Sequence, residues 1–300
     1  MIEGFSSEAA KGVTMFGLTM HEGAAVLGEA PVYGDGSWLA NVPPYIPMHL
    51  QPIDKYGMAI RSQALWIQGV PGEDRRCVGC HESRTGQGVP AFGQNPTIAE
   101  QRQAIDFTEA IADRHEVPWD KSDVGKPFVQ DVLTNKCAQC HNATQNGDGP
   151  QTFYTVSMAD PATGQTTPYK IPTLDLSADP ITVYYDRQVE TWNASYVSIF
   201  YPSTLDMMPM GATTVGTVPP MWGVPGSARQ SKLIEKVNVK AADGTTAWSG
   251  AMHPEDKGVT LTDDERHMLI LAMDLGGQYY ARQNTGFQPY TAGDPVAPAK

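Results

Sequence analysis

The chain has 300 residues, 41% of them hydrophobic and 18% charged, which supports a real core and argues against wholesale disorder. Its formal charge of −12 repels phosphate backbones, so nucleic acid is excluded as an expected partner. No apolar run approaches the roughly 20 residues of a membrane-spanning helix, and 29 glycines with 24 prolines disfavour a simple helix bundle.

In chain order, the opening Met1–Phe5 has no basic stretch followed by an apolar core, so no export signal is expected within the chain as it stands. From about Ala24 to Ile67 the pattern is strand-like, with turns at Gly34-Asp35-Gly36 and Lys55-Tyr56-Gly57. In the run Met58–Ile67, one face is expected to carry Met58, Ile60, Ala64 and Trp66. Residues 1–70 therefore read as a small antiparallel β-domain.

Residues 71–300 read as short helices in long loops. Thr97-Ile98-Ala99-Glu100 is a capping box expected to open a helix to about His115, with Ala104, Ile105, Thr108 and Ile111 along one side. Phe128–Leu133 is a short amphipathic lead into a cysteine motif. Gln145–Pro180 is rich in Thr, Pro, Gly and Asp and reads as ordered loop. Ser227-Ala228-Arg229-Gln230 opens a helix burying Leu233, Ile234 and Val237. Thr262-Asp263-Asp264-Glu265 opens the clearest helix, carrying Met268, Leu269, Leu271, Ala272 and Leu275, with Gly276-Gly277 as its stop.

The chain has four cysteines, and they fall as Cys77-Val78-Gly79-Cys80-His81 and Cys137-Ala138-Gln139-Cys140-His141. Both are C-x-x-C-H, the attachment sequence of c-type haem. Two thiols three residues apart reach the two vinyl groups on one porphyrin edge, and the following histidine is carried under the ring to the iron. One structural zinc would need the two pairs about 15–20 residues apart, whereas 56 residues separate Cys80 from Cys137. A redox dithiol would need a β-α-β setting that is not visible, and disulfide staples would not demand a histidine after each pair. Two covalently attached haem c groups are therefore expected. Such attachment happens outside the cytoplasm, which implies a periplasmic or extracellular home and a mature or excised chain.

Five histidines remain as candidates for the far side of the irons: His21, His49, His115, His253 and His267. His49 lies in the alternating run Met48-His49-Leu50-Gln51, where Met48 and Leu50 face the core and His49 the other side, exposed or against a haem. The preceding β-domain makes it the candidate for the first iron, with His115 next. His115 ends the expected helix, where a cation opposite the dipole is a sufficient structural reason for it; His267 is expected on an exposed polar face. Met207-Met208-Pro209-Met210 is a competing ligand source. His253 precedes a proline, which keeps it out of any helix, and the capped helix that follows anchors its loop.

The segments Val26–Val32 with Asp35-Gly36-Ser37, Gln51–Asp54 with Gly57-Met58-Ala59, Gly72–Cys77, Pro127–Leu133 and His253–Asp256 occur in an order that resembles the dihaem C-terminal domain of the hydrazine synthase alpha subunit family, over about residues 24 to 281. The resemblance implies its fold, and it implies that His253 is the distal ligand opposite His141. In that family a tyrosine just after the first motif binds iron and the motif histidine is diverted to zinc. Here the stretch reads His81-Glu82-Ser83-Arg84-Thr85, with no tyrosine before Tyr154. The hydrazine-forming site is accordingly expected to be absent, with His81 on its own iron.

The reading is an α+β chain: a small antiparallel β-domain followed by a loop-rich, cytochrome c-like helical region carrying two haems. Its expected function is single-electron transfer between redox partner proteins. The alternative is a haem enzyme acting on a small nitrogen or oxygen species at one open iron. A homo-oligomer, filament or larger cytochrome assembly are all left open.

Overall fold

The computed structural model describes residues 1–5, 16–19, 21, 23–63, 65–77, 96–108, 116–120, 128–159, 163–185, 188–205, 213–238 and 253–281. Strands β1 (Ile2–Phe5), β2 (Gly23–Val26), β3 (Ala40–Asn41) and β4 (Met48–His49) come first. β1 is central in an antiparallel sheet of order β2-β1-β4, with Ile2 opposite both Val26 and His49. Beyond β4 the chain makes isolated bridges, Ile53 with Ala59 and Met48 with Ile67. The expected face of a continuous Met58–Ile67 strand does not form, since Met58 is fully buried while Ile60 is 60% exposed. A tight turn explains this: Asp54 accepts from the amides of Tyr56 and Met58 and reverses the chain, so period-2 alternation has no ladder to act on.

The helix expected from Thr97 does not form over the described residues. Its capping box does, with Glu100 accepting from Thr97 N and Thr97 Oγ1 accepting from Glu100 N. After the 3₁₀ turn Ala99–Gln101 the chain extends into β5 (Ile105–Asp106), parallel to β3. Two side-chain anchors on the neighbouring turn, Asp35 to Ile98 N and Ser37 to Ala99 N, hold the start of the segment and tertiary pairing takes the rest. Residues 109–115, with His115, lie outside the described set.

Helix α1 (Val129–Lys136) forms as its pattern requires, burying Val129, Val132 and Leu133 at helical spacing. The two-residue strands β6 (Gln145–Asn146) and β7 (Gly149–Pro150) follow as a hairpin. β8 (Phe153–Ala159) and β9 (Thr166–Pro172) then pair antiparallel from Phe153 with Pro172 to Ala159 with Thr166. Gln145–Pro180 is thus not loop throughout. Tyr154, Val156 and Met158 alternate inward with threonine and serine outward, a strand signature inside a polar composition. β10 (Pro180–Tyr185) and β11 (Gln188–Asn193) form a second hairpin. It feeds α2 (Ala194–Thr204), which is buried all round, and β12 (Thr213–Val215) then closes the β8–β9 sheet.

The last two helices form, although Ala228–Gln230 makes a separate 3₁₀ turn and α3 starts from Ser231 rather than Ser227. In α3 (Lys232–Val237), Leu233, Ile234 and Val237 are buried. α4 (Asp263–Asp274) opens with a complete capping box between Thr262 and Glu265 and buries Leu269, Ile270, Ala272 and Met273. Gly276 and Gly277 stop it at φ of 94° and 70°. A Cβ on Gly277 would lie 2.4 Å from Phe200, so the stop also allows α2 and the chain end to touch.

Among the described residues the architecture is therefore mixed α+β, several small sheets with few helices, rather than a mainly helical second half. One hydrophobic cluster runs from Ile2, Leu18 and Met58 through Trp119, Leu133, Tyr196 and Phe200 to Leu269 and Tyr279. A smaller one joins Leu27, Met48 and Phe107. Among the described residues no helix is long and apolar enough to cross a membrane.

Candidate functional site

The second C-x-x-C-H motif begins where α1 ends. Cys137 N donates to Leu133 O at 2.8 Å, and the amides of Cys140 and His141 both reach Cys137 O at 3.0 Å, so the motif forms a compact turn off the helix. The β6–β7 hairpin folds back over it: His141 bridges to Asn146, and Gly147 N donates to Cys140 O at 2.8 Å. Gly147 sits at φ 66°, left-handed backbone that Asn-Gly turns favour. Leu176 N closes on His141 O at 2.9 Å, fixing the backbone of the histidine from the far side.

His253 arrives from the turn ahead of α4. Lys257 on that turn pairs with Asp148 of the β6–β7 hairpin at 2.8 Å. Arg266 of α4 holds Glu255 and the carbonyl of Val237. Lys136, at the end of α1, donates to Thr260 O at 2.9 Å and lies 3.5 Å from Glu265. These ties bring two histidines from distant parts of the chain together: the rings of His141 and His253 lie with centroids 6.0 Å apart and planes at 81°.

That spacing suits a shared metal. Two bonds of about 2 Å from one iron to opposing imidazole nitrogens, plus about 1 Å from each nitrogen to its ring centre, separate the centroids by about 6 Å. The other nitrogen of each ring already faces a polar partner. His141 Nδ1 lies 2.8 Å from Asn146 Oδ1, and because an amide oxygen can only accept, Nδ1 carries the hydrogen. His253 Nδ1 lies 3.2 Å from the Asp256 carboxylate. Nε2 is thus the nitrogen left on each ring for a ligand role.

Burial, outweighing the Asn146 hydrogen bond, holds the His141 imidazole below its ordinary pKa, and a charge on His253 would lower it further; the ring stays neutral and able to bind metal. Burial, with Glu265 adding to it, pushes the Cys137 thiol up to about 12. A redox dithiol needs a low thiol pKa, so this turn does not suit dithiol chemistry. Cys77, Cys137 and Cys140 are free thiols, and among the described residues no cluster of three or more His, Cys, Asp or Glu could cage a metal. The donor set of the second motif fits a haem: two free thiols on one turn and two imidazoles at axial separation.

At the first motif, Cys77 is exposed, and Cys80 and His81 lie outside the described residues, as do Met207, Met208 and Met210. His49 is half-buried on β4 and stacks on Trp66 with ring centroids 4.5 Å apart. Its Nε2 is buried without a hydrogen-bond partner. Burial, reinforced by the positive chain N-terminus and His21, lowers its pKa to about 4. His267 is packed against Gly57 rather than on an open polar face: a Cβ there would meet Nε2 at 2.7 Å.

Sequence reasoning passed over Asn146 and Asp256. Both left signals, an Asn-Gly turn just beyond a haem motif and an acid three residues after the candidate ligand.

The family model described as the hydrazine synthase alpha subunit middle domain matches residues 3–82. The matched part is thus the N-terminal segment ending in the first motif, and the model it matches is that of a middle domain. Among solved structures, hydrazine synthase of Kuenenia stuttgartiensis is similar over 93% of this chain, with a TM-score of 0.53 and 16% identity. The chain spans 38% of the length of that protein's chain. At that identity the likeness is one of fold. A search of curated proteins found no match.

Proposed function

We propose that the chain is an extracytoplasmic dihaem c-type cytochrome that passes single electrons between redox partner proteins. The observation that carries the reading is the His141–His253 pair, 6.0 Å between centroids, with His141 Nδ1 hydrogen-bonded to Asn146 and His253 Nδ1 lying 3.2 Å from the Asp256 carboxylate. At the second motif Cys137 and Cys140 would form the thioethers, with His141 and His253 on opposite faces. At the first, Cys77, Cys80 and His81 would do the same, with His49 as the second axial ligand. Bound haem supplies an iron that cycles between ferric and ferrous states. With haem bound, His141 and His253 would hold the iron at the second motif, and His81 with His49 would hold it at the first, leaving no position for a substrate.

A second reading keeps one iron open to a small nitrogen or oxygen species. The family-model match over residues 3–82 favours it at the first motif rather than the second.

Native protein, or chain matured through an exporting haem-attachment system, should exceed its polypeptide mass by two haem groups that survive acid-acetone extraction. Changing Cys137 and Cys140 to alanine should leave one. Paramagnetic resonance of the oxidised protein should show low-spin iron, and His253→Ala should make one haem high-spin or able to bind carbon monoxide when reduced. Native protein holding zinc and no haem would end the proposal. One high-spin iron in the unaltered protein would move it to the second reading.

A further inference from the structure

Resting on the haem reading of the second motif, we propose that Asn146 and Asp256 are positioning residues that lock the two axial imidazoles through Nδ1, one neutral and one anionic, and so set the reduction potential of that site. The two contacts differ in kind. Asn146 Oδ1 accepts from His141 Nδ1 at 2.8 Å, and its own amide donates to Thr173 Oγ1 at 3.4 Å. Thr173 Oγ1 in turn donates to Gln151 Oε1 at 3.1 Å, and Gln151 Nε2 reaches Leu174 O and Asn142 O. The His141 ring is therefore held by a neutral relay that runs into the chain just after β9. It has little freedom to turn about its Cβ–Cγ bond or to move its hydrogen to Nε2.

Asp256 puts a carboxylate 3.2 Å from His253 Nδ1, on a turn where its side chain is 48% exposed. An anion beside Nδ1–H pushes electron density toward Nε2 and makes that nitrogen a stronger donor, which favours the ferric state and lowers the potential. Water around the carboxylate screens the effect and limits its size.

Negative charge at either position should therefore lower the potential, so removing it at one and adding it at the other should move the midpoint in opposite directions. At fixed pH, Asp256→Asn should raise the midpoint of the second haem by up to a tenfold change in the ferric-to-ferrous ratio, about 59 mV for one electron. Asn146→Asp keeps the acceptor, adds the charge, and should lower the midpoint. Asn146→Ala removes the acceptor and should change the low-spin g-values, which report the ring planes now at 81°, while Asn146→Asp preserves them. Midpoints unmoved in both charge variants, or moved in the same direction, would overturn the inference while leaving the haem reading intact. Absence of haem from Cys137 and Cys140 in the unaltered protein would instead remove the haem reading and this inference together.

Discussion

Asp274 is the last residue of α4, 3% exposed, and ties the end of that helix to two other segments. Its carboxylate accepts from Ala59 N at 2.9 Å and from Ala228 N at 2.7 Å. Arg229, paired with Asp54, adds a donor to Ala59 O at 3.0 Å. Burial outweighs these donors and raises the Asp274 pKa from 3.8 to about 6. The folded chain then binds more protons at this site than the unfolded chain between those two values. Stability from this group is fully present below 3.8 and is lost as pH rises through about 6. A shift of about 2 units corresponds to about 3 kcal/mol. Asp274→Asn cannot titrate, and it keeps one acceptor of two, at a cost of about 1–3 kcal/mol at neutral pH. Urea unfolding of both proteins from pH 3.5 to 8 isolates the residue, because the other carboxylates are common to both. The parent should gain on the variant by about 3 kcal/mol as the solution is acidified. A pH-independent difference, or a parent that loses ground in acid, would refute the reasoning.

Tyr196→Phe removes a hydroxyl that accepts from Leu18 N at 3.0 Å and donates to Gly277 O at 2.7 Å. With both partners buried, unfolding free energy should fall by about 2 kcal/mol in urea titration, and an unchanged midpoint would reject the role. Thr262→Ala removes the acceptor for Glu265 N at 3.1 Å. It should cost about 1 kcal/mol, or roughly 2–4 °C in calorimetry, with Thr262→Ser largely restoring it.

The parts of the fold legible in the sequence are those where a local rule is strong enough to survive packing. α1, α3 and α4 carry apolar residues at helical spacing, and the Thr262–Glu265 box is complete in both sequence and structure. The Thr97–Glu100 box is equally complete yet opens only one turn. A cap satisfies the first amides but cannot propagate a helix whose next residues gain more from pairing with β3. α2 escaped notice because a helix apolar on every side has no period to detect, and its aromatic residues with Pro202 suggest a strand or a break. β8 was hidden by the reverse problem, a clean alternation inside a polar, proline-rich stretch. At the site, His141 and His253 were readable one by one. Their pairing was expected from the family resemblance and not from spacing, and the Asn146 and Asp256 contacts depend on long-range closure that spacing does not encode.

The two axial candidates are not held equally. His141 is fixed by backbone hydrogen bonds on both sides, within the motif turn and from Leu176 N, and its ring by the Asn146 relay. His253 lies on a turn closed by its own local backbone hydrogen bonds and tied to the rest of the chain by side-chain contacts. Lys257–Asp148 is solvent-exposed, with side chains 44% and 87% accessible, and such a pair contributes about 0–1 kcal/mol. Arg266–Glu255 is more sheltered, and through α4 it carries most of the load on that turn. Electron transfer requires both ligands to stay in place through the redox cycle, whereas substrate chemistry requires one to leave. Were the proposed haem to lose a ligand, His253 would be the one to yield, because releasing His141 would unravel the turn that also carries Cys137 and Cys140. On the proposed haem reading, one ligand would belong to the attachment motif and the other to the turn ahead of α4, whose docking would complete the site.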